Sequence, residues 1–470
     1  MGGFTGWRAF FRTRDRKLRL AMLLSLGLTG DISAWAAAEP PSTQQAGSDE
    51  QKSALKTNNS NAALAPELRL SEADMAWWRD AKLGMFIHWG LYSIPASGEW
   101  SMFRDHVPAA EYAKLAQRFA PKHYDPQRWA KIARTAGARY MVLTARHHDG
   151  FALWDSPGSY GQFDAVHSAA RRDLVKPFVT AARQQGLRVG LYYSPLDWRF
   201  PAYFHIREMP ENAAAFRKQT YDQVRELTTR YGRIDILWYD GGWLAHNGTD
   251  ADAAWFWRPE ILNAEVREHQ PKIVINPRSG WQGDFDTEEG AAPITGPIRP
   301  KPWEKTFSLN ENAWGYTSGQ RLIPLDQLKR LFVDAVIRNG NLHVNVGPDP
   351  DGVIPEGQER LLHEFGVWNQ RYGESLFATR PGPLEPVDGS YGTTHRGRTV
   401  YLHVLSWPDK VLTIPALPGR VLRATNMVDG KKIDLDQSQG EIRILAPRAG
   451  DSVDTVLKLE LETSGGGKGR

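Results

Sequence analysis

The chain contains no cysteine. That absence excludes disulfides, thiol nucleophiles, thiolate metal sites and lipoprotein attachment together. Long hydrophobic runs are missing too: the apolar stretch Leu20 to Leu28 is too short to span a bilayer as a permanent helix. Nor is there an excess of charge of one sign. The net charge is +4 over 470 residues, and the basic residues are scattered apart from Arg12 to Arg19, so nothing marks a nucleic-acid partner. No internal repeat is legible, which excludes a solenoid.

What the chain does have is tryptophan, 18 in all. Trp89, Trp100, Trp154, Trp198, Trp238, Trp243 and Trp281 stand near the ends of strand-like runs. Flat indole faces suit the C–H surfaces of sugars, although packing of a large residue explains any one of them equally well. At the start, basic Arg8 to Arg19, apolar Leu20 to Leu28 and the small residues Ala34-Trp35-Ala36-Ala37-Ala38 read as a signal peptide over 1–38, hence a periplasmic or secreted protein with no stable membrane association. An uncleaved membrane anchor is the alternative. Residues 39–65 are polar and rich in Pro, Ser and Asn, and read as a disordered linker; 464–470 read as a disordered tail.

From Glu67 onward, strand-like runs alternate with amphipathic helical ones: Asp125 to Ala136, Asp173 to Gln185, Asn212 to Tyr231, Glu260 to His269, Leu325 to Asn339 and Glu356 to Tyr372. Such alternation predicts a parallel sheet with crossover helices, here an α/β fold with a (β/α)8-type barrel over 66–380. Seven strands can be placed and the eighth cannot. After Pro381, short strands without helices between them, such as Thr399 to Leu405 and Val456 to Leu461, predict a small antiparallel β-sandwich over 381–463.

The chemistry lies at the ends of the barrel strands. Ile234 to Trp243 is a buried-type strand that closes on Trp238-Tyr239-Asp240-Gly241-Gly242, so that Asp240 would stand at the barrel mouth, where catalytic groups of this architecture collect. An Asp that merely caps a turn is the competing reading. Four other runs close in the same way: on His88-Trp89, on His147-His148, on Tyr192-Tyr193 and on Arg278. Together they predict a polar pocket with aromatic walls. The segment Gly283 to Gly290 adds Asp284, Asp286, Glu288 and Glu289, read as a loop that is either merely solvated or a source of a second carboxylate. Two carboxyls facing each other across a pocket can divide into nucleophile and general acid, as glycoside hydrolysis requires. The histidines could instead ligate a metal with Asp240 in a metal-dependent hydrolase. Against this, consecutive residues of an extended chain point to opposite sides, and no His-x-x-x-His spacing occurs near them.

Phe86-Ile87-His88-Trp89-Gly90, Arg146-His147-His148-Asp149-Gly150-Phe151, Tyr192-Tyr193-Ser194, Trp238-Tyr239-Asp240-Gly241-Gly242-Trp243 and Asn345-Val346-Gly347-Pro348, in this order, resemble the α-L-fucosidases of glycoside hydrolase family 29. The resemblance covers about Trp77 to Arg380. It implies a retaining exo-hydrolase of terminal α-L-fucose on glycans, without a cofactor or metal, in which Asp240 is the nucleophile and Glu289 the acid/base. By the same resemblance His88, Glu99, Trp100, His147, His148, Tyr192, Trp238 and Arg278 bind fucose. Glu288 and Glu304 are further candidates for the acid/base. A lectin-like fucose-binding protein without activity is the competing class, but it has no need of both Asp240 and a facing Glu.

Overall fold

The computed structural model describes residues 65–438 and 440–462, which lie in one compact unit. The expected signal peptide and tail, and the expected linker except for Ala65, lie outside them. Eight parallel strands form a single curled sheet: β1 (Leu83–Ile87), β2 (Tyr140–Arg146), β3 (Arg188–Tyr193), β4 (Ile236–Tyr239), β5 (Val274–Ile275), β6 (Asp286–Glu289), β7 (Trp303–Ser308) and β8 (Gly340–Val346). The order β5-β4-β3-β2-β1-β8-β7-β6 brings β8 back against β1, as a (β/α)8 domain requires. In β1, β2 and β8 every residue is buried, the signature of strands covered on both faces.

Helix α1 (Glu72–Ala81) sends Met75, Trp78 and Ala81 into the barrel floor, where Trp78 packs on Phe285. Then come α2 (Pro126–Ala136), α3 (Val175–Gln184), α4 (Pro210–Thr229), α5 (Pro259–His269), α6 (Leu325–Val336) and α7 (Glu356–Leu376). The sequence of α2 shows why it forms. The Asp125 side chain accepts from the Arg128 N–H at 3.0 Å, Pro126 sits at the first turn where no N–H is needed, and Gly137 ends the helix at φ 95°. Its buried face carries Trp129, Ala130, Ile132, Ala133 and Ala136.

The strand that could not be placed from sequence is β6, inside the acidic segment read as a loop. Asp-Thr-Glu-Glu offers no apolar period, and the strand is made by its register on β7, with Glu288 beside Lys305 and Glu289 beside Thr306. The strand expected over Lys272 to Arg278 shrinks to two residues. Pro277 has no N–H to donate, and the side-chain amide of Asn276 pairs instead with the backbone N–H and C=O of Tyr239 at 2.7 and 2.8 Å. Between β5 and β6 no ladder forms, and Asp284 closes the seam. Its N–H donates to the Ile275 carbonyl, and its carboxylate accepts from the Ile275 and Leu70 N–H groups and from Arg267, all at 2.8 to 3.0 Å. Without that buried carboxylate Arg267 and two N–H groups lose their partner, a loss of roughly 3–5 kcal/mol.

The antiparallel region comprises β9 (Arg380–Pro381), β10 (Tyr391–Arg396), β11 (Thr399–Val404), β12 (Val411–Pro415), β13 (Val421–Asn426), β14 (Leu435–Ser438), β15 (Glu441–Leu445) and β16 (Thr455–Leu461). Sheets β13-β16-β11-β10-β9 and β12-β15-β14 enclose Leu402, Ile414, Ile444, Leu457 and Leu459. The expected boundary between 380 and 381 falls inside β9, since Arg380 pairs with His395.

Candidate active site

Phe86, His88, Trp100, His147, His148, Tyr192, Trp238, Asp240, Trp243, Arg278, Glu289 and Trp314 line a cavity that opens at the C-terminal ends of the strands. A larger hollow over Pro126, Lys176 and Gln184 is an open depression on the outer helices, away from the strand ends. Asp240 follows β4 directly, and Gly241 turns the chain away at φ 76°. A Cβ on Gly241 would meet the His148 ring at 2.9 Å, so both the turn and the close approach need glycine.

One Asp240 oxygen accepts from the Tyr192 hydroxyl at 2.8 Å; the other accepts from Arg278 at 2.6 Å. Arg278 also contacts Glu289 and, through Nε at 3.1 Å, Asp250. Its guanidinium therefore lies between the carboxylates of β4 and β6. Asp250 was not singled out from the sequence, and nothing in its loop marks it. It accepts the Gly242 N–H at 2.7 Å, and its pKa is raised to about 6 by burial and by Asp240, against the lowering pull of Arg278.

The other three acids around Glu289 are engaged elsewhere. Asp284 closes the seam, Asp286 pairs with Lys301 at 2.6 Å, and Glu288 lies against Lys305 and Arg299 at 2.5 Å. Side chains alternate along a strand, so Glu288 and Glu289 point to opposite faces of β6, and only Glu289 enters the cavity. Glu304 is fully buried under the pocket wall, where it accepts from Tyr140 at 2.6 Å and from the Trp238 indole at 2.9 Å and meets His343 at 3.1 Å. Burial pushes its carboxyl up, but these partners outweigh burial and hold it below the usual range. Glu304 thus orients Trp238 from behind.

His88 donates from Nδ1 to the Asn345 Oδ1 at 2.7 Å, because the Asn345 amide nitrogen is committed to Ser308 and to the Trp314 carbonyl. The His88 Nε2 is left as an acceptor, and burial holds its pKa down to about 3. His148 meets the Ser194 hydroxyl at 2.7 Å through Nδ1 and Asp240 at 3.5 Å through Nε2. A proton on Nε2 faces that carboxylate favourably. The buried His147 Nδ1 has no hydrogen-bond partner among the described residues. Burial and the neighbouring cations keep both rings neutral.

Glu99 stands apart from the other expected site residues, and the expected divergence of His147 and His148 needs correction. Glu99 is not among the residues that line the cavity: it is buried behind the wall, where its carboxylate accepts from the Trp314 and Gly315 N–H groups at 3.0 and 2.8 Å and fixes the loop that carries the Trp314 ring. His147 and His148 do not diverge, because both follow the end of β2, where strand alternation no longer holds, and their ring centres lie 4.0 Å apart. With Asp240 they bring possible ligand atoms within 4.8 Å of one another, but Arg278 already supplies the positive charge at that carboxylate. Phe86, Trp243 and Trp314 line the cavity without having been singled out as site residues. Phe86 and Trp243 belong to the quoted strand-end motifs, a usable signal, whereas Trp314 arrives on a distant loop.

The family model described as Alpha-L-fucosidase matches residues 51–374. The tissue alpha-L-fucosidase of Bos taurus is 32% identical over 365 residues, which span 71% of this chain and 75% of that protein. Alpha-L-fucosidase isoenzyme 1 from Paenibacillus thiaminolyticus superposes with a TM-score of 0.73 at 33% identity, covering 83% of this chain and 99% of that one. A family 29 alpha-L-fucosidase from Bacteroides thetaiotaomicron, solved as a trapped covalent intermediate with 2-fluoro-fucosyl fluoride, does so with a TM-score of 0.75 at 28% identity over 84% and 97%. With these matches over most of its length and a polar, aromatic-walled cavity at the strand ends, the chain belongs to the α-L-fucosidases of glycoside hydrolase family 29.

Proposed function

We propose that this α-L-fucosidase removes terminal L-fucose from glycans by double displacement, with Asp240 as nucleophile and Glu289 as acid/base. The observation that supports this reading is that one guanidinium, that of Arg278, touches both carboxylates at the cavity. A retaining pair stands roughly 5–5.5 Å apart, whereas an inverting pair leaves room for a water between its members. Tyr192 and Arg278 donate to Asp240 and hold its carboxylate in place for attack on the anomeric carbon. Entry of the sugar parts Glu289 from Arg278 and frees its carboxyl to carry the proton for the leaving oxygen. The same carboxylate then takes a proton from the water that releases fucose. Neutral His88, His147 and His148 exchange hydrogen bonds with the sugar hydroxyls, while Phe86, Trp238 and Trp314 offer apolar contact to its methyl group and C–H face.

Proton NMR of the first-formed product tests this mechanism. α-L-Fucose should appear before mutarotation, and initial β-L-fucose would overturn the assignment. From the basic, apolar and Ala-rich segments before Glu39 we also infer export, with the segment before Glu39 removed. No helix among the described residues is long and apolar enough to cross a membrane. Mass spectrometry of the exported protein should show a start near Ala37 or Glu39, and an intact N-terminus in the membrane fraction would contradict it.

A further inference from the structure

His246 sits between two indoles at the cavity rim. The Trp198 Nε1 lies 3.1 Å from its Nε2 and the Trp243 Nε1 lies 3.3 Å from its Nδ1. Both indoles can only donate, and a neutral imidazole has a single acceptor nitrogen. Burial holds the His246 pKa at about 4, so the ring is neutral near pH 7. Only one of the two contacts is therefore a hydrogen bond. The shorter makes Nε2 the acceptor, which leaves the His246 Nδ1–H facing the Trp243 N–H with no acceptor between them. The Tyr203 hydroxyl stands near Trp243 but already accepts the His246 backbone N–H at 3.0 Å; even if it takes the indole proton as well, the Nδ1–H stays unmatched.

The backbone holds this arrangement against strain. Ala245 and His246 both adopt left-handed φ, 52° and 51°, fixed by bonds from their N–H groups to the Tyr203 carbonyl and hydroxyl. Around them a column of stacked rings runs outward, Trp198 on Phe103 at 5.5 Å and Phe103 on Phe204 at 6.3 Å, ending at the exposed Phe204. Trp100 lies against Phe103 at 6.0 Å and Trp198 at 5.3 Å and also lines the cavity, so the column is continuous with the place where fucose is cut.

We propose that this rim is the binding site for the leaving group, a hexose or N-acetylhexosamine that lays a C–H face on the Phe103–Phe204 column while one of its hydroxyl or N-acetyl oxygens accepts from Trp243 and His246. The proposal rests on the fucosidase reading above and extends it to what lies beyond the scissile bond. An oxygen that reaches the His246 Nδ1–H gives that donor the acceptor it lacks, with the Trp243 N–H beside it, and aromatic faces favour the apolar face of a pyranose.

The test compares α-L-fucosyl fluoride, whose leaving group makes no such contacts, with fucosyl disaccharides carrying galactose or N-acetylglucosamine. His246→Ala should lower kcat/KM on the best disaccharide about tenfold and leave the fluoride within about twofold. Trp198→Phe keeps the stack but frees Nε2 and lets His246 accept from Trp243 instead. It should act in the same direction to a smaller extent. Equal losses on fluoride and disaccharide in both variants, or no change on either, would overturn the leaving-group site. Failure of the unmutated enzyme to hydrolyse the fluoride would count against the fucosidase mechanism itself.

Discussion

Asp240→Gly should lower turnover of every fucoside by about 10⁴-fold or more, roughly 5.4 kcal/mol of barrier, whatever the leaving group. The loss does not depend on leaving-group quality because the covalent step itself disappears. Glycine leaves a space bounded by the Tyr192 hydroxyl and an Arg278 amino group, two donors that held the carboxylate at 2.8 and 2.6 Å. Those donors suit a small anion, so azide should restore part of the turnover and give β-L-fucosyl azide, since it attacks from the side Asp240 occupied. Asp240→Asn is the control: it removes the charge but fills the space, and azide should not rescue it. Rescue of neither variant, together with activity above about 1% of the unmutated enzyme for Asp240→Gly, would remove Asp240 from the nucleophile's role.

Glu289→Ala should behave differently. Glycosides with poor leaving groups should lose about 10²–10⁴-fold in kcat/KM, while aryl fucosides with acidic phenols keep most of their first step, since they need little proton donation. Azide should then intercept the fucosyl-enzyme and yield the α-L-fucosyl azide, the anomer opposite to that from Asp240→Gly. The burial pattern makes the comparison informative. Glu288 faces Lys305 and Arg299 away from the cavity, and Glu304 lies beneath Trp238 with Tyr140 and His343, so neither reaches a leaving oxygen without rearrangement. Glu288→Gln should leave the dependence on leaving group unchanged. Glu304→Gln should disturb sugar binding through Trp238 and show no preference for poor leaving groups. If either reproduces the Glu289→Ala signature, that residue is the acid/base.

Much of this protein could be read from local pattern. Apolar runs such as Tyr140–Arg146 and amphipathic stretches such as Pro126–Ala136 carry their own periods, and a parallel barrel sends the polar ends of its strands to one mouth. Hence nine of the ten residues singled out, Glu99 being the exception, line one cavity although they are spread from His88 to Glu289. The glycines after Asp240 were legible for the same local reason.

What the tertiary structure alone decided concerns groups whose partners are distant in the chain. Strand β6 has no apolar signal and exists through its register on β7, and that register is what separates Glu289 from Glu288. Glu99 and Glu304 sit beside aromatic residues in the sequence just as cavity residues do, yet one is bound to the Trp314 loop and the other to Trp238, 66 positions away. Asp250, Trp314 and the His246 clamp acquire their roles only when loops from different strands meet. Hydrophobic period is written into consecutive residues and survives reading without a structure; the matching of donors to acceptors depends on which side chains the closed barrel brings within 3 Å.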